Sequence, residues 1–257
     1  MLADNYFQLE GRVAIVTGAS SGLGQQFADV LGRAGCRVAL LARRAERLQE
    51  LADAMQEAGS EALAVPVDVT DAAATTAALV RINEHFGPAS ILINNAGNGN
   101  TQRFIDESDE EADAVMDLNL RAAWRLSRVV SQQMIDAGNG GAIINIASIL
   151  GLRVLPQTGS YAVSKAALIQ LTRVMALELA RYDIRVNAIA PGYVMSELTH
   201  DFLNSDGYQQ VLQRVPQRRY ATPEELDGLL LLLASERSSY MTGSVIPIDG
   251  GHMLASI

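Results

Sequence analysis

The sequence predicts a single-domain α/β fold: a doubly wound, mostly parallel seven-stranded sheet with helices on both faces. Three observations carry that expectation. Short β-branched or apolar runs alternate with helical apolar spacing along the whole chain. Hydrophobic residues make up 49% of the 257 positions and aromatics only 5%, so Ala, Val, Ile and Leu must build the core. Small and β-branched side chains suit helices packed closely on a parallel sheet. No linker, repeat or low-complexity stretch divides residues 1–257, which are read as one domain.

The elements follow in order. Val13–Thr17 is a first strand ending in glycines, and Leu23–Leu31 has helical spacing. Val38–Leu41 is a buried strand, followed by a helix over Ala45–Ala58 that Gly59 would close in the left-handed region. Ala62–Val67 is the third strand, and Asp71–Phe86 a helix closed by Gly87 and Pro88. Ile91–Ile93 then runs into Asn94-Asn95-Ala96-Gly97, and a long helix is expected over Glu110–Ala137. The second half repeats the alternation: strand Ala142–Ala147, helix Tyr161–Tyr182, strand Ile184–Ile189 and the break Pro191-Gly192. A helix over Pro223–Ser235, with Thr222 as N-cap and Pro223 in its first position, precedes the last strand, Gly243–Ile248. Such alternation implies right-handed crossovers.

Composition excludes several functions. A formal net charge of -9 argues against a general nucleic-acid backbone binder, though not against a local basic pocket. The single Cys36 forms no internal disulfide, fits a reducing cytoplasm and reads as a buried structural thiol. Residues Met1 to Glu10 lack a basic segment followed by an apolar one, and the run Leu229–Leu233 is far too short to span a bilayer. A cytoplasmic protein with no membrane partner is expected. No metal site is expected either.

Thr17-Gly18-Ala19-Ser20-Ser21-Gly22-Leu23-Gly24 joins the first strand to the first helix. Glycines there permit a tight turn and let backbone N–H groups approach a pyrophosphate at the helix N-terminus. No Lys-Ser or Lys-Thr follows, which disfavours a nucleoside-triphosphate loop. The second strand ends Leu41-Ala42-Arg43-Arg44, without the carboxylate that would bind the ribose hydroxyls of NAD. Arg43 is instead suited to a 2′-phosphate, so NADP(H) is expected in preference to NAD(H). Arg44 and Arg47 are read as the solvated start of the next helix. Asp68 could accept from the adenine amino group or serve a turn.

Ser148 lies at the end of the strand Ile143–Ala147, and Tyr161 and Lys165 stand one helical turn apart at the start of the next helix. A Tyr-x-x-x-Lys pair alone is common on solvated helices. Together with a strand-end hydroxyl and an upstream dinucleotide loop it becomes informative. The chain resembles the short-chain dehydrogenase/reductase family, in its branch of about this length and with its Rossmann fold. The resemblance runs from Gly11 to Gly251 through the glycine loop, Asn94-Asn95-Ala96-Gly97, Asn119, Ser148, Tyr161 and Lys165, Pro191-Gly192 and Asp249-Gly250-Gly251. It implies Tyr161 as general acid/base, Ser148 as carbonyl orienter, and Lys165 bound to the nicotinamide ribose. It also implies that Asn119 holds a water in a proton relay with Lys165.

The remaining site expectations follow from the resemblance. Gly18, Ser20, Ser21, Gly22, Leu23, Gly24, Arg43, Asp68, Val69, Asn95, Ala96 and Gly97 would meet the cofactor, together with Tyr161, Lys165, Pro191, Gly192, Val194 and Ser196. Asn94 is read mainly as a strand-stabilising residue. Residues 193–215 would form a substrate lid, with Met195, Leu198, Phe202 and Leu203 able to close over a ligand or simply to pack. Ser148, Leu150 and Tyr161 would touch substrate. Leu150, Leu152 and Leu155 suit an apolar ketone, whereas Asn98, Asn100, Gln102 and Arg103 equally suit a sugar or polyol. A 3-oxoacyl-[acyl-carrier-protein] reductase ranks lower: Arg121, Arg125 and Arg128 share a helix face, but the chain is acidic overall. A silent nucleotide-binding scaffold is disfavoured by the intact Ser148, Tyr161 and Lys165. The Ala-, Leu- and Val-rich helices carrying Asn119 and Tyr161 fit the interfaces of a homotetramer.

Overall fold

A computed structural model of the chain describes residues 6–195 and 212–254. Seven strands form one sheet: β1 (Val13–Thr17), β2 (Arg37–Ala42), β3 (Glu61–Pro66), β4 (Ile91–Asn94), β5 (Gly141–Ile146), β6 (Ile184–Pro191) and β7 (Val245–Ile248). Their spatial order is β3-β2-β1-β4-β5-β6-β7, and every pairing is parallel. The order reverses between β1 and β4, which opens a crevice at the carboxyl ends of those strands. The helices are α1 (Gly22–Arg33), α2 (Ala45–Glu57), α3 (Ala72–Phe86), α4 (Asp109–Met116), α5 (Ala122–Ala137), α6 (Gly159–Leu179) and α7 (Asp227–Ala234).

Strand alternation divides the core. Ala14 and Val16 face one side, where Phe27 and Leu31 of α1, Leu48 of α2 and Leu230 and Leu233 of α7 pack. Val13 and Ile15 face the other, against Leu79 and Ile82 of α3 and Leu126 and Val130 of α5. Both faces of the sheet are therefore dry, as a parallel sheet requires. Beneath the sheet, Arg185 donates to the carbonyls of Leu233 and Ser235 at the C-terminal end of α7. That end carries partial negative charge, which a cation offsets.

Several boundaries differ from the sequence expectation for local reasons. The expected helix over Glu110–Ala137 is interrupted by a π turn, Asp117–Arg121, between α4 and α5. The last strand starts at Val245, because Gly243 holds a φ of 75° and belongs to the preceding turn. The helix expected over Pro223–Ser235 begins as a 3-10 turn, Pro223–Leu226, after Thr222. Glu225 accepts from the Thr222 N–H there, so the start is capped where the sequence predicts. Gly59 closes α2 with a φ of 89°. Cys36 is buried, and burial pushes its thiol up to about 12, in keeping with a structural role. No described helix is long and apolar enough to cross a membrane.

Candidate active site

The glycine loop leaves β1 at Thr17, whose hydroxyl donates to the Ile93 carbonyl and accepts from the N–H groups of Asn95 and Ala96. Asn95 in turn donates to the Thr17 carbonyl, at 3.0 Å. One side chain from each strand thus locks the two loops that flank the switch point. Their contact leaves no room for a side chain at Gly24: a Cβ there would lie 2.2 Å from the Gly18 carbonyl oxygen and 2.5 Å from Asn95 Nδ2. Asn94, next to it, donates to Ser127 and Asn145, and Asn145 donates to Thr172. It knits β4, β5, α5 and α6 together, as expected.

A cleft of about 430 Å³ lies over this switch point. Of the expected cofactor residues, Gly18, Ser20, Ser21, Gly22, Leu23, Arg43, Asp68, Val69, Asn95, Ala96, Gly97, Pro191, Gly192 and Val194 line it. Ser148, Tyr161 and Lys165 line the same cleft. Gly24 lies behind the loop, and Asn119 behind Gly97, where a Cβ would come within 3.1 Å of Asn119 Oδ1 and 3.3 Å of Lys165 Nζ. Leu150 and Met195 are described but are not among the lining residues. The Leu150 N–H donates to Ser148 Oγ, and Met195 pairs through its backbone with Ala221. Ser196 and Leu198, with Phe202 and Leu203, lie outside the described residues, as does most of the expected lid.

A dinucleotide fits these surroundings. The loop glycines leave the cleft floor as bare backbone, two serine hydroxyls stand at the helix N-terminus, and two guanidiniums stand at the end of β2. Arg44 is the exposed N-cap residue of α2, as expected of a solvated helix start. It reaches back across the cleft edge, donating to Ser20 Oγ at 3.0 Å and to Ser21 Oγ. A hydroxyl pair only a short reach away competes with water for the guanidinium. Arg43 is exposed and close enough to Asp68 to draw its carboxyl down. The larger cause of that lowering is Thr70, whose hydroxyl and N–H both donate to Asp68 Oδ1. Asp68 therefore makes the turn and also borders the cleft.

Tyr161 and Lys165 project from the first turns of α6. Burial raises the Tyr161 phenol above its ordinary value, and the neighbouring Ser148 hydroxyl opposes that with a smaller effect. Lys165 is itself buried, which lowers it to about 8, and its ammonium donates to the Ile146 carbonyl at 2.8 Å.

Asn119 sits on the π turn with its amide fully engaged. Its Oδ1 accepts from the Asn98 N–H, and its Nδ2 donates to the Asn98 carbonyl and to Ser164 Oγ. The side chain is therefore a clamp on residue 98. The clamp starts a loop that crosses α6. Gly99 lies against the Tyr161 ring, where a Cβ would approach Cδ2 to 2.8 Å. Gln102 donates from its backbone to Gln157. Glu107 then accepts from both the N–H and the hydroxyl of Ser160. The cap residue of α6, Thr158, supplies no side-chain cap of its own, so Glu107 performs that task from a distant loop.

Sequence reasoning missed Arg44, Gly99, Glu107 and Ser164. Ser164 lies inside the Tyr-to-Lys interval, Gly99 two residues after Asn94-Asn95-Ala96-Gly97, and Arg44 beside Arg43. Glu107 and Ser160 are far apart in the chain, and no spacing rule connects them. Among the described residues no group of His, Cys, Asp or Glu is arranged to hold a metal ion.

Comparison with known proteins gives consistent matches. The family model described as enoyl-(acyl carrier protein) reductase matches residues 18–253. The 2-dehydro-3-deoxy-D-gluconate 5-dehydrogenase of Dickeya dadantii is 36% identical over 248 residues, covering 96% of this chain and 97% of its own. The crystal structure of a gluconate 5-dehydrogenase from Burkholderia cenocepacia, in complex with NADP and tartrate, superposes with a TM-score of 0.94 at 31% identity. It covers 99% of this chain and 100% of its own. The L-sorbose reductase of Gluconobacter frateurii, complexed with NADPH and L-sorbose, has a TM-score of 0.90 at 35% identity and covers 96% and 98%.

Proposed function

The chain belongs to the short-chain dehydrogenase/reductase family, and from that premise we propose that it interconverts a ketone and a secondary alcohol with NADP(H), Tyr161 being the general acid/base. Membership makes it an oxidoreductase acting on CH–OH groups with a nicotinamide nucleotide. The observation that carries the finer reading is the shared cleft: Ser148, Tyr161 and Lys165 border the same space as the glycine loop and Arg43.

The bound nicotinamide would exchange a hydride with the carbon of the substrate. In the reducing direction Tyr161 gives its phenolic proton to the carbonyl oxygen, and Ser148 donates a second hydrogen bond to the developing alkoxide. Burial keeps the phenol protonated, which suits a donor. In oxidation the proton returns along the same path to a phenolate. Lys165 supplies the nearby positive charge that makes this phenolate accessible. Asn119 holds Asn98 so that Gly99 backs the Tyr161 ring.

Arg43 and Arg44 favour a 2′-phosphate over two ribose hydroxyls. The NADP and NADPH in the similar crystal structures support the same preference. The substrate class best supported is a polyhydroxylated ketone or sugar acid, because the similar proteins are named for such compounds. The acyl-carrier-protein reading is weakened by the helix face it needs. Arg121 is paired with Asp117, at 2.9 Å, and faces Asp113, so its charge is spent. Exposed Trp124 on α5 and Val163, Val174 and Leu177 on α6 support a homotetramer. Sedimentation equilibrium checks it, and a monomer would overturn it.

The direct test follows NADPH oxidation spectrophotometrically with keto sugars, keto sugar acids, simple ketones and acyl thioesters. Turnover confined to acyl thioesters would overturn the substrate class. Turnover of none of them would favour a silent scaffold.

A further inference from the structure

Beside Ser148 lies a group of polar side chains that the reaction described above does not use. Ser148 caps the one-turn 3-10 helix Ile149–Gly151, and the chain leaving that turn delivers Arg153. Arg153 Nη1 donates to the His252 carbonyl at 2.7 Å. The His252 ring, on the turn after β7, meets the Tyr193 ring with centroids 5.6 Å apart. Tyr193 follows Gly192, which lines the cleft with Ser148 and Tyr161. Gly192 packs on Asp249 so closely that a Cβ would lie 2.8 Å from the Asp249 Cα. Three segments from different parts of the chain therefore converge next to Gly192, at the edge of the cleft.

The charge of this group is unbalanced. Arg153 and Arg214 both act electrostatically on Tyr193 and on His252. Among the described residues neither arginine forms an ion pair with a carboxylate. Asp249 also acts on His252, but its Oδ1 accepts from the Gly251 N–H and its Oδ2 from the Met253 N–H. Burial and the two guanidiniums hold the His252 ring below its ordinary range, so it is neutral near pH 7. Its Nδ1 is buried without a partner, while Nε2 is not. Burial likewise keeps the Tyr193 phenol protonated. Among the described residues two guanidiniums stand against the single carboxylate of Asp249, flanked by a phenol and a neutral imidazole, and this net positive charge suits a carboxylate.

We propose that Arg153, Tyr193 and His252, with Arg214 at the margin, form a subsite that binds the carboxylate of an open-chain sugar acid while its ketone faces Tyr161. The proposal rests on the sugar-acid reading above and names the residues that would separate such acids from neutral sugars. A guanidinium fixed by one nitrogen on the His252 carbonyl still offers its remaining donors to a carboxylate oxygen pair.

The test compares two ketones with NADPH: the acid 5-keto-D-gluconate and the neutral ketohexose L-sorbose. Arg153→Gln is expected to raise KM for the acid by about tenfold or more, with a much smaller shift for L-sorbose. Arg153→Lys should recover part of the lost preference, because it keeps the charge and loses only the fork. Calorimetric titration of the NADP-loaded protein with tartrate should show the same order of affinities without turnover. Thermal melting in NADP checks that each variant folds; should Arg153→Gln fail, Tyr193→Phe and Arg214→Gln carry the comparison. If the wild type prefers the acid and these variants keep that preference, the subsite is wrong while the substrate reading stands. If the wild type neither reduces nor binds the acid and accepts L-sorbose alone, the sugar-acid reading fails and the subsite falls with it.

Discussion

At the cofactor end of the cleft, the groups that would meet phosphate come from one strand–loop–helix unit, Thr17 to Gly24, and from the end of the next strand. At the substrate end, the working surface is assembled from remote segments: Asn119 holds Asn98, Glu107 caps Ser160, and Arg153 ties to His252. The first end is backbone-rich, and Thr17 and Asn95 hold the loops after β1 and β4 together. The second depends on side chains whose partners lie on other elements. A dinucleotide offers the same phosphates to every protein that binds it, and bare backbone serves that purpose well. Substrates vary, and side chains on loops can be exchanged without rebuilding the sheet.

Perturbing each end should expose this difference. The largest effect is expected at the reacting centre: Tyr161→Phe should lower kcat by roughly 10²–10⁴-fold while NADPH affinity, read by fluorescence titration, stays near that of the wild type. Turnover surviving that change would identify another proton donor. Gly24→Ala should do the opposite, weakening NADPH by about tenfold or more, because the added methyl drives apart the two loops that Thr17 and Asn95 lock. Arg43→Asp should cut the preference for NADPH over NADH by about tenfold, and equal wild-type affinities would remove the basis of that prediction.

A pH effect comes next. Lys165 is lowered to about 8 in the folded chain, against an ordinary 10.5, so the unfolded chain binds the extra proton between those values. Stability from this group therefore rises as pH increases from about 8 towards 10.5, and the cost of burying its charge is fully present below 8. Lys165→Met should accordingly stabilise the protein more in urea unfolding at neutral pH than in strongly alkaline buffer. A gain that did not shrink with pH would mean that burial does not lower the Lys165 ammonium below its ordinary value. The smallest effect is expected at Glu107. Glu107→Ala should cost about 1 kcal/mol of stability, as for a lost helix cap, and lower kcat a few-fold with little change in NADPH affinity. Glu107→Gln should restore most of the stability. A kcat unaffected by either change would make the cap structural alone.

Much of this molecule was legible before any coordinates. The alternation of short β-branched or apolar runs with helical spacing located all seven strands, and errors were confined to their ends. Even the break in the helix at Asn119 fell within a region recognised as helical. The hidden feature there was the π turn, which changes hydrogen bonding without changing the pattern of apolar residues. Arg44 is the solvated helix start the sequence indicates, and only the path of the glycine loop brings Ser20 and Ser21 within its reach.

The sequence by itself determined the family, the parallel sheet, the glycine loop and the Ser148, Tyr161 and Lys165 set. Each of these is written in local periodicity or in fixed spacing along one or two elements. Tertiary packing alone shows that Asn119 clamps Asn98, that Glu107 caps α6 and that Arg153 ties to His252 beside Tyr193. Those contacts join residues far apart in the chain. Their partners are set by where loops cross the sheet, and that path follows from the packing of the whole core.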